Sequence, residues 1–167
     1  MEQQYKDPVL RKYGDLIMLY NKQIKRIYYG DPIRVGSSSL PALILAKSGT
    51  DISNFSNAED RHQMKISISV ITDVRDTISE DVQMVKGVNA LYNILEGRNE
   101  DFTLKADSIL GILRKYVELD VANNLRTDLN TVTRAEYGMT MGKRREDSWS
   151  IEGIIELVAT FTQPRGI

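Results

Sequence analysis

Apolar residues in this chain recur with two different periods, and the switches between them divide the sequence into elements. Val9, Leu10, Tyr13, Leu16, Ile17, Tyr20, Ile24, Ile27 and Tyr28 follow three- and four-residue spacing, while Arg11, Lys12, Asp15, Lys22 and Lys25 take much of the other face. Asp7 before Pro8 supplies an N-cap and a first helical position where proline's missing N–H is harmless. Gly30-Asp31-Pro32 is a stop signal. The spacing predicts an amino-terminal helix over residues 7–29.

The next apolar segment, Leu40 to Ala46, is nearly continuous, too short for a stable helix, and bounded by serines and Gly49. It reads as a strand with Pro41 near its start or on an edge. Lys47 to His62 is rich in Ser, Asn, Gly and Asp and reads as a long loop; loops beyond about 12 to 15 residues in a folded domain are usually functional or disordered. Ser53, Asn54 and Phe55 at its centre are therefore candidate protein-contact residues. Period two then takes over: Met64, Ile66, Ile68 and Val70 alternate with Lys65, Ser67 and Ser69, the mark of a half-buried strand.

Thr77 and Glu80 have capping-box spacing ahead of a helix carrying Val82, Val85, Val88, Leu91, Tyr92 and Leu95, with Gly97 offered as a left-handed stop. Asp107-Ser108 opens a shorter helix through Ile109, Leu110, Leu113, Tyr116 and Val117. Residues 131–141 are β-prone at their start, and 148–161 alternate throughout. Trp149, Ile151, Ile155, Leu157, Ala159 and Phe161 share one face; Ser150, Glu152, Glu156 and Thr160 share the other. Gly153, on the apolar face, marks a bulge or a close backbone approach. The order helix, strand, strand, helix, helix, strand, strand predicts an α+β fold, a mainly antiparallel four-stranded sheet with helices on one face. One domain over 1–167 is expected, its sheet-and-helix core spanning 40–163.

Composition narrows the function more than the fold. Lys plus Arg total 22 against 23 Asp plus Glu, interspersed, so there is no basic stripe of the kind that duplex nucleic acid requires. With no cysteine there is no thiolate nucleophile and no Cys-ligated zinc. The apolar runs fall well short of the roughly 20 residues of a membrane span. Neither a G-x-x-x-x-G-K-[ST] nor a G-x-S-x-G motif is present. His62, the single histidine, lies among polar residues and reads as surface. Asp73, Asp76, Glu80 and Asp81 crowd one segment, but Glu80 and Asp81 are accounted for by a helix N-terminus, which favours carboxylates without any metal. No catalytic, cofactor or metal site is expected.

The most compact positive run, Lys143-Arg144-Arg145, is followed at once by Glu146-Asp147 at the tip of the last predicted hairpin. It reads either as a solvated turn or as a contact loop whose mixed charges meet a complementary partner. Met139 and Met141 precede it, as adaptable contact surface or as inward-facing strand residues.

Three segments together resemble the tail terminator proteins of long-tailed bacteriophages: LPALILA; MKISISVITD with the helix down to Leu95-Glu96-Gly97; and the closing unit of β-prone segment, charged hairpin and SWSIEGIIELVATF. The resemblance covers roughly residues 35–163, rests on layout rather than an invariant motif, and leaves the amino-terminal helix as an addition. It implies a non-enzymatic virion protein assembled in the host cytoplasm as a ring, typically a hexamer, on the head-proximal end of the tail tube. The ring's partners would be the tail tube protein and a head connector or completion protein, with DNA only passing through the lumen and no membrane contact. Another neck or head-to-tail adaptor protein, and a small-molecule-binding α+β domain unrelated to phage, are the alternatives.

Overall fold

The computed structural model describes residues 6–73, 80–132, 134–141 and 149–166, the side chains of 80–86, 139–141 and 149 excepted. Its elements in chain order are α1 (Pro8–Tyr20), β1 (Arg26–Tyr29), β2 (Ala42–Asn54), β3 (Glu59–Asp73), α2 (Glu80–Glu96), α3 (Ile109–Lys115), β4 (Glu118–Asp120), β5 (Leu125–Thr127), β6 (Ala135–Met141) and β7 (Trp149–Pro164). The fold is α+β. The sheet has seven strands rather than the expected four, running β1-β2-β3-β7-β5-β4 with β6 also on β7. It is antiparallel except for β1, which pairs parallel with β2 from Arg26↔Ala42 to Tyr29↔Leu45.

The first helix stops nine residues short of the expected end at 29. Asp7 caps it as anticipated, accepting from the Val9 amide at 2.9 Å. Asn21 then turns extended, its side-chain Nδ2 donating to Asp107 O (2.8 Å) and its Oδ1 accepting from Gln23 N–H (3.0 Å). Beyond it, Arg26-Ile-Tyr-Tyr29 is β-branched and aromatic, and the edge of β2 offers it a ladder that a helix could not use. Gly30, at φ +95°, ends the strand.

β3 and β7 form the longest ladder, fifteen paired positions without a register break from Glu59↔Pro164 to Asp73↔Ser150. Their alternation sorts side chains as the sequence indicates. Ile66, Ile68 and Val70 join Ile151, Ile155 and Leu157 on the face covered by Leu10, Tyr13 and Ile17 of α1, Leu91, Ile94 and Leu95 of α2, and Ile109, Leu110 and Leu113 of α3. β2 is buried on both sides at its start: Leu43 and Leu45 enter that core, while Ala42 and Ile44 pack with Val35, Leu40 and Ile71 on the opposite face. The near-continuous apolar run follows from this two-sided burial.

Gly153 is a close approach and not a bulge, since a Cβ there would overlap Leu95 Cδ1 and sit 3.1 Å from Tyr137 Cδ1. Gly97 differs from the expected left-handed stop: Gly30 is the glycine at positive φ among the described residues, and Gly97 is required because a Cβ would come within 2.6 Å of Asn93 O. Ser108 caps α3 as expected, accepting from Gly111 N–H at 3.2 Å. The proposed capping residue Thr77 and the carboxylate Asp76 lie outside the described residues.

On the far edge of β7, β6 takes the first half, Ala135↔Ile155 to Met141↔Trp149, and β5 takes Thr160 and Ala159. Between them the connecting loop serves Val158: Thr131 Oγ1 accepts from its N–H (2.9 Å) and Asp128 N–H donates to its carbonyl (2.8 Å). A central strand thus keeps its backbone groups paired where two short neighbours meet.

Candidate protein-contact surfaces

Residues 47–62, expected to be a loop, are mostly strand. β2 runs through to Asn54 and β3 begins at Glu59, leaving a short turn between them. A register shift between Lys47 and Gly49 marks where β2 leaves the core, and from Lys47 to Asn54 every residue is exposed. The Ser, Asn, Gly and Asp content reflects a hairpin with solvent on both faces, which has no reason to alternate. β7 continues alongside, so β2, β3 and β7 form a three-stranded arm.

Ser53, Asn54 and Phe55 lie at the end of this arm and are exposed. The turn is closed by Phe55 and Ser56 N–H groups donating to Glu59 O, both at 3.1 Å. Ser56 Oγ accepts from Ala58 N–H (3.2 Å) and Glu59 N–H (3.1 Å). The Arg61 guanidinium lies 4.4 Å from the Phe55 ring centroid, a cation–π contact worth about 0.5–1 kcal/mol at an exposed site. Arg165 ties the third strand in: its backbone N–H donates to Ala58 O (2.8 Å), its Nε to Asp60 Oδ1 (2.8 Å), and its Nη2 to Asn54 Oδ1. Half-exposed ion pairs of this kind contribute at most about 1 kcal/mol, so their effect is chiefly to fix side-chain position. Sequence reasoning marked Ser53, Asn54 and Phe55 within an expected loop but missed Arg61, which the β2–β3 hairpin register brings to Phe55, and Arg165, which reaches Asp60 across 105 residues of chain.

His62 is a strand residue, not part of a polar loop. It stacks on Phe161 across the β3–β7 ladder, centroids 4.8 Å apart and planes at 14°. With Ile52 opposite it in β2, this gives an apolar cross-strand stripe on one face of the arm.

Lys143, Arg144, Arg145, Glu146 and Asp147 lie outside the described residues. The strand ends that flank them, Met141 and Trp149, pair at the opposite end of β7 from the turn holding Phe55. Fifteen residues of strand separate Trp149 from Pro164, about 50 Å. The strand ends Met141 and Trp149 and the turn holding Phe55 therefore lie at opposite ends of the sheet.

A cleft of about 580 Å³ opens where the start of α1 meets β4, β5 and the end of β7, with Val9, Met64, Leu125 and Phe161 among its walls. At its mouth Lys47 Nζ pairs with Asp7 Oδ2 (2.7 Å) and Lys12 Nζ with Asp120 Oδ2 (3.3 Å). Burial works against ionisation of Asp7, but hydrogen bonds from Lys47 and from Val9 N–H outweigh it and hold the carboxyl below its ordinary value. Among the described residues no group of three or more His, Asp or Glu side chains is placed to hold a metal ion, and no helix is long and apolar enough to cross a membrane. Comparison of the sequence with models of known protein families and with curated proteins gives no match.

Proposed function

We propose that this chain is a structural protein of a long-tailed bacteriophage, a ring-forming tail terminator that ends polymerisation of the tail tube and provides the surface to which the head joins. The observation that carries this reading is the polarity of the sheet. A cap must meet the tube on one side and the head connector on the other, and one continuous strand, β7, has the exposed arm turn at one end and the strand ends leading to Lys143–Asp147 at the other. The arm suits a docking role: exposed, with Phe55 and Arg61 held at its tip by their own contacts, so little side-chain freedom is lost on binding. Near-neutral net charge suits a ring through which DNA passes without being gripped.

The test is assembly. Electron microscopy of particles made with the wild-type chain should show tails of uniform length joined to heads, and of particles made without it, tubes of uncontrolled length that fail to join. Reversing Lys143, Arg144 and Arg145 to Glu leaves folding within about 0.5 kcal/mol of wild type, yet blocks joining, because each subunit of the ring repeats the like-charge penalty. Normal joined tails from the reversed protein would remove residues 143–147 from the contact surface. Tails of unchanged length in the complete absence of the chain would remove the terminator reading altogether.

A further inference from the structure

Between α2 and α3 the chain makes a tight, heavily bonded turn. Arg98 and Leu104 form an antiparallel bridge. The Asn99 and Phe102 amides donate to Thr103 O and Asn99 O, each at 2.9 Å. Asp101 Oδ1 accepts from the Thr103 amide (3.1 Å) and hydroxyl (2.6 Å), and Arg98 Nη1 donates to Phe102 O (2.9 Å). At the apex Phe102 takes φ +69°, a left-handed conformation that is an outlier for a bulky residue and free of penalty only for glycine. Its side chain is 80% exposed. The fold thus bears a strained backbone and an aromatic ring left in water, with no packing in return. A strained residue held firmly by its surroundings, presenting an aromatic group to solvent, has the character of a contact residue.

The cleft between α1 and the end of β7 is its complement. Val9, Met64, Leu125 and Phe161 give it apolar walls among polar ones that include Lys12, Asp120 and Asn123, and about 580 Å³ accommodates a phenyl ring. The turn lies near the carboxyl end of α1, where Gln23, Asn93 and Lys105 are linked by hydrogen bonds of 3.4 and 3.1 Å. The cleft lies at the amino end of the same 13-residue helix, about 20 Å away, so Phe102 does not fill the cleft of its own subunit. The charges match as well. At the mouth of the cleft the lysine heads are the outer partners, Lys12 52% exposed against 19% for Asp120 and Lys47 47% against 9% for Asp7. Beside Phe102 stand the exposed carboxylates Glu100 and Asp101.

We propose that Phe102 of one copy of this chain inserts into the α1–β7 cleft of the next, with Glu100 and Asp101 facing Lys12 and Lys47. Knob and socket are different surfaces of one subunit, so the contact is head-to-tail, the type that closes into a ring when the rotation between neighbours allows. It rests on the ring reading above and supplies that ring with its joint.

The test is sedimentation velocity of the full chain across a concentration series, beside thermal melts. The wild-type chain self-associates. Phe102→Gly associates about tenfold or more weakly and melts at the same temperature or higher, because it relieves the left-handed strain. Val9→Trp, which fills the cleft from a half-exposed helix position, also loses association. A one-to-one mixture of the two variants forms heterodimers and nothing larger, since only one intact knob and one intact socket remain per pair. Where Val9→Trp fails to fold, Lys12→Glu weakens association, and Glu100→Lys in the partner restores it. A wild-type chain that stays monomeric, a Phe102→Gly protein that associates as wild type does, or one that melts lower, overturns the joint. Normal tail length with Phe102→Gly likewise overturns it while leaving the capping reading intact. Self-association through Phe102 with tails of uncontrolled length would overturn capping and leave the joint.

Discussion

β2, β3 and β7 are a buried layer at one end and a solvent-facing arm at the other, although pairing continues through both. At the root Leu43, Ile68 and Ile155 lie beneath three helices with no exposure. In the arm β2 and β3 carry Ile52 and Arg61, both exposed to solvent. Backbone hydrogen bonding is similar along the ladder, so what separates the two ends is apolar area removed from water, worth roughly 25 cal/mol per Å². The root supplies stability and direction; the arm spends neither on burial and is left able to meet a partner.

The sharpest way to break this comparison is to truncate matched residues at each end. Leu43→Ala at the root costs about 2–5 kcal/mol in denaturant melts, whereas Ile52→Ala in the arm costs less than about 0.5 kcal/mol. Equal costs would mean that the arm is packed and not presented. Gly153→Ala is next, at about 1–3 kcal/mol, because the added methyl runs into Leu95 and Tyr137 where α2 and β6 crowd the root.

Tyr13→Phe probes the tie between helix layer and sheet and costs about 1 kcal/mol, since it leaves the buried Thr127 hydroxyl without its 2.7 Å partner. It also carries a pH signature. Burial pushes the Tyr13 phenol up from 10.0 to about 12, against an opposing hydrogen bond from Thr127. A folded value above the unfolded one means that the contribution is fully present below about pH 10 and is lost as pH rises towards 12. Alkaline melts of the wild type should show that decline between the two values, and the phenylalanine variant should lack its Tyr13 component.

The smallest effect concerns the arm's own order. Phe55 N–H bonds to Glu59 O, so by strand alternation the amides of Ser53 and Asp51 point to β3 while those of Asn54 and Ile52 point to solvent. Hydrogen exchange should alternate accordingly, slower at 51 and 53 than at 52 and 54. Uniformly fast exchange would return residues 47–54 to the loop that their composition suggests, and Arg165→Ala should raise exchange at the tip first.

Where a segment has one buried face, its sequence already determined its form. The period-two runs Met64–Val70 and Ile151–Ala159 are strands with the expected faces inward, and Ser108 caps α3, because one-sided burial and an unpaired helix end leave local marks. Among the candidate contacts, Ser53, Asn54 and Phe55 were legible as exposed residues of a polar segment. Tertiary structure decided the remainder. Ile27 and Tyr28 satisfy helical spacing, yet they stand in β1 because the edge of β2 is there to pair with. The outer half of β2 has no periodicity to read, since with solvent on both faces its strand form comes from β3 alone. The tie of Arg165 to Asn54 and Asp60, and the placing of Phe102 opposite the end of α1 that carries the cleft, depend on registers and turns that join distant parts of the chain, and no local pattern encodes them.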